Sequence, residues 1–209
     1  MIAVAVVVTV FVVMIVAVSR CDSLAGTGEE SGFTVRAAHG PTRVIDNVPA
    51  GYTRDAEGAA TAAVNAVQAL AEAGQGRIDM ANVVRVVVAA EPGPQLRESI
   101  EISRDRGNDG DVLTVLPAAV SVLSLTDTAA EVSVWTMGVS RASIAPGDPV
   151  SVTTLWTSNT VSLVWEGEDW KVKEKTGQVG PTPDEVIAPD APSPLTRPLV
   201  GGYYSFYVN

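Results

Sequence analysis

His39 is the single histidine in the chain and the first residue to weigh as a general base. It sits beside Gly40 and Pro41, ahead of any periodic segment, with no partner residue predicted near it. Base catalysis would require that stretch to fold back into a domain, so a structural or linker role is the better reading. Asp105, Asp109 and Asp111 surround Gly107 and Gly110 but lack the ordered ligand ladder and closing Glu of a calcium loop. They read as a polar turn. One cysteine, Cys21, excludes an internal disulfide and any cysteine-based metal cluster, and could at most bridge two chains. One histidine excludes paired-histidine metal sites. Carboxylate dyads form in space and are invisible along a chain. The expectation is a non-enzyme with no cofactor and no metal.

Contact chemistry is better represented. Lys171, Lys173 and Lys175 are all the lysines in the protein. A period of two puts them on one face of a strand, opposite Trp170, Val172 and Glu174. Such a row is either a solvated or edge-protecting face, or a basic stripe that docks an acidic partner. Trp135, Trp156, Trp165 and Trp170 fall in the same region. They either line a pocket in the mouth of the domain or fill the core between sheet and helices, which is the commoner fate. Tyr203, Tyr204, Phe206 and Tyr207 close the chain and are expected to dock on the domain or on another protein.

Several elements must position these residues. Ala60, Ala63, Val64, Val67, Leu70 and Ala71 follow the spacing of one buried helical face, with Asp55 as N-cap and Gly74 as the residue after the helix. Met80, Val83, Val84, Val87 and Val88 repeat that spacing. The run is β-branched enough to be a strand, but the clean period and the stops at Pro92 and Pro94 favour helix. A third helix is expected from Gln95 to about Arg104, burying Leu96 and Ile100. After Gly110 the period becomes two. Strands are expected over 112–125 with a bend at Pro117, 130–143, 150–165 and 170–176, the last two joined by Glu166-Gly167-Glu168-Asp169. Helices followed by a run of antiparallel strands indicate an α+β domain with a curved sheet wrapped on helices.

Met1 to Val18 carry no charge and one hydroxyl, Thr9. That run is about long enough to cross a hydrocarbon core. No basic residue precedes it, which favours an uncleaved anchor over a signal peptide, although Ala17-Val18-Ser19 keeps cleavage open. Arg20 before Cys21 argues against lipidation. Residues 1–19 are thus read as a membrane anchor, 20–49 as a linker with a short extended piece at 42–45 and a turn at Val48–Tyr52, 50–177 as the domain, and 178–209 as a proline-rich tail with an aromatic terminus. Charge near the span gives little orientation, and the soluble part is expected outside the cytoplasm. A net charge of −10 and a pI near 4.5 make nucleic acid a poor direct partner. Three lysines against eleven arginines, with abundant Ala, Val and Gly, fit a GC-rich genome such as an actinobacterium's.

Gly51-Tyr52 before an alanine-rich helix, Val134-Trp135, Thr153-Thr154-Leu155-Trp156-Thr157, Val161-Ser162-Leu163-Val164-Trp165 and Gly167-Glu168-Asp169-Trp170-Lys171-Val172 form a recognisable series. It resembles nuclear-transport-factor-two-like (cystatin-like cone) domains, and more narrowly the membrane-anchored proteins of actinobacterial conjugative elements. The resemblance covers roughly residues 51–176. It implies a cone of about three helices in a curved sheet of about four strands, and kinship with single-pass scaffold subunits of type IV secretion systems. The expected function is assembly of a conjugative transfer apparatus, with the membrane, other protein subunits and a homo-oligomer as partners. The alternative is an extracytoplasmic module that binds a small ligand in the aromatic mouth of the cone.

Overall fold

Alanine lets the first helix approach the sheet closely. Helix α1 spans Ala56–Gly74 in a computed structural model that describes residues 38–105, 112–143, 145 and 147–185. Asp55 caps it: Asp55 Oδ1 accepts the Gly58 N–H and the Thr53 hydroxyl, each at 2.7 Å. Burial alone would push the Asp55 carboxyl up, but bonds from Thr53, Gly58 and His39 outweigh it and hold the carboxyl below its ordinary value. The cap's stabilisation is therefore complete above the ordinary carboxylate range and is lost as pH falls through the lowered pKa. At the other end Gly74 is the last helical residue, not the one beyond the cap. Gln75 is the C-cap, and Gly76 takes the left-handed position at φ +69°. The Gly76 and Arg77 amides close on the carbonyls of Ala73 and Glu72.

Helix α2 spans Met80–Val87, so the periodicity prevails over β-branching. The chain then leaves as an extended strip. Val88 bridges Val172, the Ala89 amide donates to the Val172 carbonyl at 2.9 Å, and Gly93 donates to the Lys173 carbonyl at 2.6 Å. This strip covers what would otherwise be an open sheet edge. Helix α3 spans Pro94–Asp105 and starts on a proline whose missing N–H costs nothing there. The Glu174 carboxylate takes the next two orphan amides, Gln95 at 3.3 Å and Leu96 at 2.7 Å.

A short hairpin precedes the helices, with β1 at Arg43–Ile45 and β2 at Val48–Ala50. Asp46 and Asn47 turn it with positive φ. The turn expected at Val48–Tyr52 is therefore a strand at its start. Part of the expected linker packs with the domain, since Val48 is buried in the core. Pro49 is tolerated because a two-stranded ribbon leaves one side of each strand unpaired.

Strands β3 (Val112–Leu125), β4 (Ala129–Ser143), β5 (Val150–Glu166) and β6 (Asp169–Val179) form an antiparallel meander in sequence order. The register shifts just after Pro117, where the bend was expected. Gly167 and Glu168, both at positive φ, make the tight turn between β5 and β6. Gln68 and Gln75, seven residues apart on α1, stand in for a neighbouring strand at the start of β3. They bond the Val115 carbonyl and both backbone groups of Leu113. Alternate residues of the sheet (Val132, Val134, Val161, Leu163, Val172) face the helices and meet Val64, Val83 and Leu96 in one core.

No helix among the described residues is long and apolar enough to cross a membrane. The anchor expected over residues 1–19, the aspartates Asp109 and Asp111, and the terminal Tyr203, Tyr204, Phe206 and Tyr207 lie outside the described residues.

Candidate functional site

The inward row of the sheet changes chemistry along its length. On β4 it runs Val132, Val134, then Thr136 and Gly138, and on β5 Leu163, Val161, then Asn159, Thr157 and Leu155. Where the row turns from aliphatic to small and polar, the sheet and helices part around a cavity of about 260 Å³. Val67, Leu70 and Ala71 of α1 form one wall, Ser99 and Ile100 of α3 another, and Leu113 and Val115 of β3 a third. Ser99 and Leu155, the latter 49 % exposed, stand at the rim. The floor is a satisfied polar network. The hydroxyls of Thr136 and Thr157 bond each other at 2.7 Å, and the amide of Asn159 donates to both, at 3.2 and 3.3 Å. Thr136 and Asn159 are only 2 % and 6 % exposed, so these groups are held in place before any ligand arrives.

Lys175 reaches the same cavity through a break in the strand pattern. Pairing passes from Leu163↔Val172 to Ser162↔Glu174, which leaves Lys173 as the extra residue of a bulge. Beyond the bulge the alternation inverts, and Lys175 falls opposite the fully buried Val161 and lines the cavity. Burial pushes its ammonium pKa down. None of the ion pairs among the described residues includes it.

The lysine row expected on one face is therefore absent. Lys171 is half-buried beneath the end of α2, where its Nζ donates to the Val86 carbonyl and lies 3.9 Å from Asp169. Burial lowers its pKa, with Asp169 opposing. A cation there compensates the C-terminal end of the helix dipole. Lys173 is exposed on the bulge. One inserted residue sends the three side chains three ways, and nothing in the sequence marks it.

The tryptophans are also not in the cavity lining. Trp165 and Trp170 pair across the β5–β6 turn with centroids 5.2 Å apart and planes at 78°. Trp170 is buried and its indole N–H donates to the Thr53 carbonyl at 2.9 Å, while Arg54 lies 5.3 Å over Trp165. This pair follows the core reading. Trp135 and Trp156 lie on the outward row of β4 and β5, stacked at 4.6 Å. The Trp135 indole N–H donates to the Pro181 carbonyl at 2.9 Å, so the chain after β6 runs over this outer face.

His39 does fold back onto the domain. Its Nδ1 lies 3.1 Å from Asp55 Oδ2, and its carbonyl accepts the Thr53 amide. With Glu57 these residues bring three ligating atoms within 4.8 Å of one another. The Asp55 oxygens are already engaged by the helix cap and by His39, so the group acts as a clasp between the segment before β1 and the start of α1. Thr136, Thr157 and Asn159 were not singled out from sequence. The signal was present, because Thr and Asn interrupt an inward row of Val and Leu at aligned positions of two neighbouring strands.

Among solved structures the chain is similar to an NTF2-like family protein with a proposed dehydratase role from Streptomyces avermitilis, at 15% identity and a TM-score of 0.43, over 62% of this chain and 100% of that one. It is similar also to the intermembrane space region of chloroplast protein ARC6, at 19% identity and a TM-score of 0.39, over 59% of this chain and 97% of that one. The α+β architecture rests on the chain's own strand order and helix packing. No curated protein matches. Residues 30–188 match the model of the family described as Domain of unknown function (DUF8175), and the chain belongs to that family.

Proposed function

We propose that the domain is a non-enzymatic binding module for a small, largely apolar molecule held between α1, α3 and the inward face of the sheet. The observation that carries this is the cavity itself: apolar walls from three elements over a floor of pre-oriented hydroxyl and amide groups. At about 260 Å³ it lies just below the ~300–1,000 Å³ of drug-sized sites, which limits the ligand to a compact one. Ala71 is half-buried on the wall, and a phenylalanine there would fill the space without cutting a core contact. Octanamide, a neutral probe, should bind the full-length chain saturably and at least about tenfold more weakly to a folded Ala71→Phe variant. Unchanged binding would remove the cavity as the site.

A second reading is a membrane-tethered, extracytoplasmic assembly subunit of a conjugative transfer apparatus, working with other protein subunits or as a homo-oligomer. The outer face favours it, since the Trp135–Trp156 stack continues along β5 to the exposed Val150 and Val152. Trp156→Asp should then abolish co-purification of membrane partners from native membranes while the unfolding temperature holds. Partners recovered equally with both forms would discount that face.

A further inference from the structure

We infer that the ligand of the cavity is a small carboxylic acid, bound as its anion with the carboxylate against Lys175 Nζ and its apolar body against Val67, Leu70 and Ile100. The inference rests on the cavity being a ligand site. Among the described residues Lys175 is the one ionisable residue in the lining. The bulge at Lys173 is what brings it there, for without the extra residue the strand would present Glu174 inward and Lys175 outward. The Lys175 side chain lines the same cavity as the apolar Val67, Leu70 and Ile100, where a charge loses hydration, and no described carboxylate lies within ion-pair distance to replace it. The neighbouring Lys171 shows the other arrangement, with Asp169 and the Val86 carbonyl beside it. An incoming anion would supply for Lys175 what Asp169 supplies for Lys171. The polar floor lines the same cavity, and the limited volume favours a free acid over a peptide terminus with its following chain.

The test compares octanoate with octanamide, nearly equal in shape and different in charge, on the full-length chain in lipid nanodiscs by calorimetry, with empty nanodiscs as blank. Octanoate should bind at least about tenfold more tightly than octanamide. Lys175→Met should bring octanoate down to the level of octanamide measured on the same variant. Lys175→Arg should keep a preference for the acid, which guards against a variant that fails to fold. Equal affinity of the two probes for the unaltered chain, or octanoate binding that survives Lys175→Met, overturns the carboxylate inference while leaving the cavity in place. Absence of binding by both probes overturns the inference together with the cavity reading beneath it.

Discussion

Asp169→Ala is expected to lower the unfolding free energy by about 3–5 kcal/mol, the cost of breaking a buried, hydrogen-bonded ion pair from one side. The Asp169 carboxylate is 1 % exposed. It accepts the amides of Gly51 at 2.7 Å, Tyr52 at 3.1 Å and Trp170 at 3.0 Å, with Arg43 at 3.6 Å and Lys171 at 3.9 Å. One side chain on the β5–β6 turn thus fastens the segment that leads from the first hairpin into α1. Alanine would leave three buried N–H groups without that acceptor and Lys171 without its counter-charge. An asparagine side chain would keep the shape and one acceptor, so Asp169→Asn should cost roughly half as much. Denaturant titration with an unchanged slope would measure both. A loss under about 1 kcal/mol for the alanine variant would mean that the hairpin is held by apolar packing instead.

Trp170→Ala is the other large effect, at about 3–5 kcal/mol. The ring fills the space between the β5–β6 turn and Thr53, stacks edge-on against Trp165 and ties its N–H to the Thr53 carbonyl. Trp170→Phe keeps most of the apolar volume and loses the hydrogen bond, so about 1–2 kcal/mol should go. Asp169 and Trp170 hold adjoining residues of one segment, Gly51–Thr53, and the double alanine variant should therefore cost less than the sum. Additive losses would show that the two clasps act independently.

The helices and the four-stranded meander were legible because their periods are long and their ends are marked. Asp55 caps α1, Pro94 opens α3 and Gly167-Glu168 turns the last hairpin. Half of the first hairpin was legible: the extended piece expected at 42–45 is β1, but a three-residue β2 carries no period and Pro49 argues for a turn until its partner Val44 is known. Little of the site was legible. The tryptophans expected to line a pocket do not line the cavity, since which sheet face each occupies depends on register, and Trp135 and Trp156 lie on the outward row. The lysine row failed for one physical reason, the extra residue at Lys173, because period-two reasoning does not survive a bulge. That same bulge converts Lys175 from a surface charge into the ionisable group of the cavity.

The most direct measurement is of intermolecular nuclear Overhauser effects between octanamide and a methyl-labelled full-length chain. A cavity site predicts contacts from the probe to the methyls of Val67, Leu70, Ile100 and Val115, which line it. Contacts confined to Met137 and Val139, on the outward face with Trp135 and Trp156, would contradict it and make the sheet's outer surface the binding face.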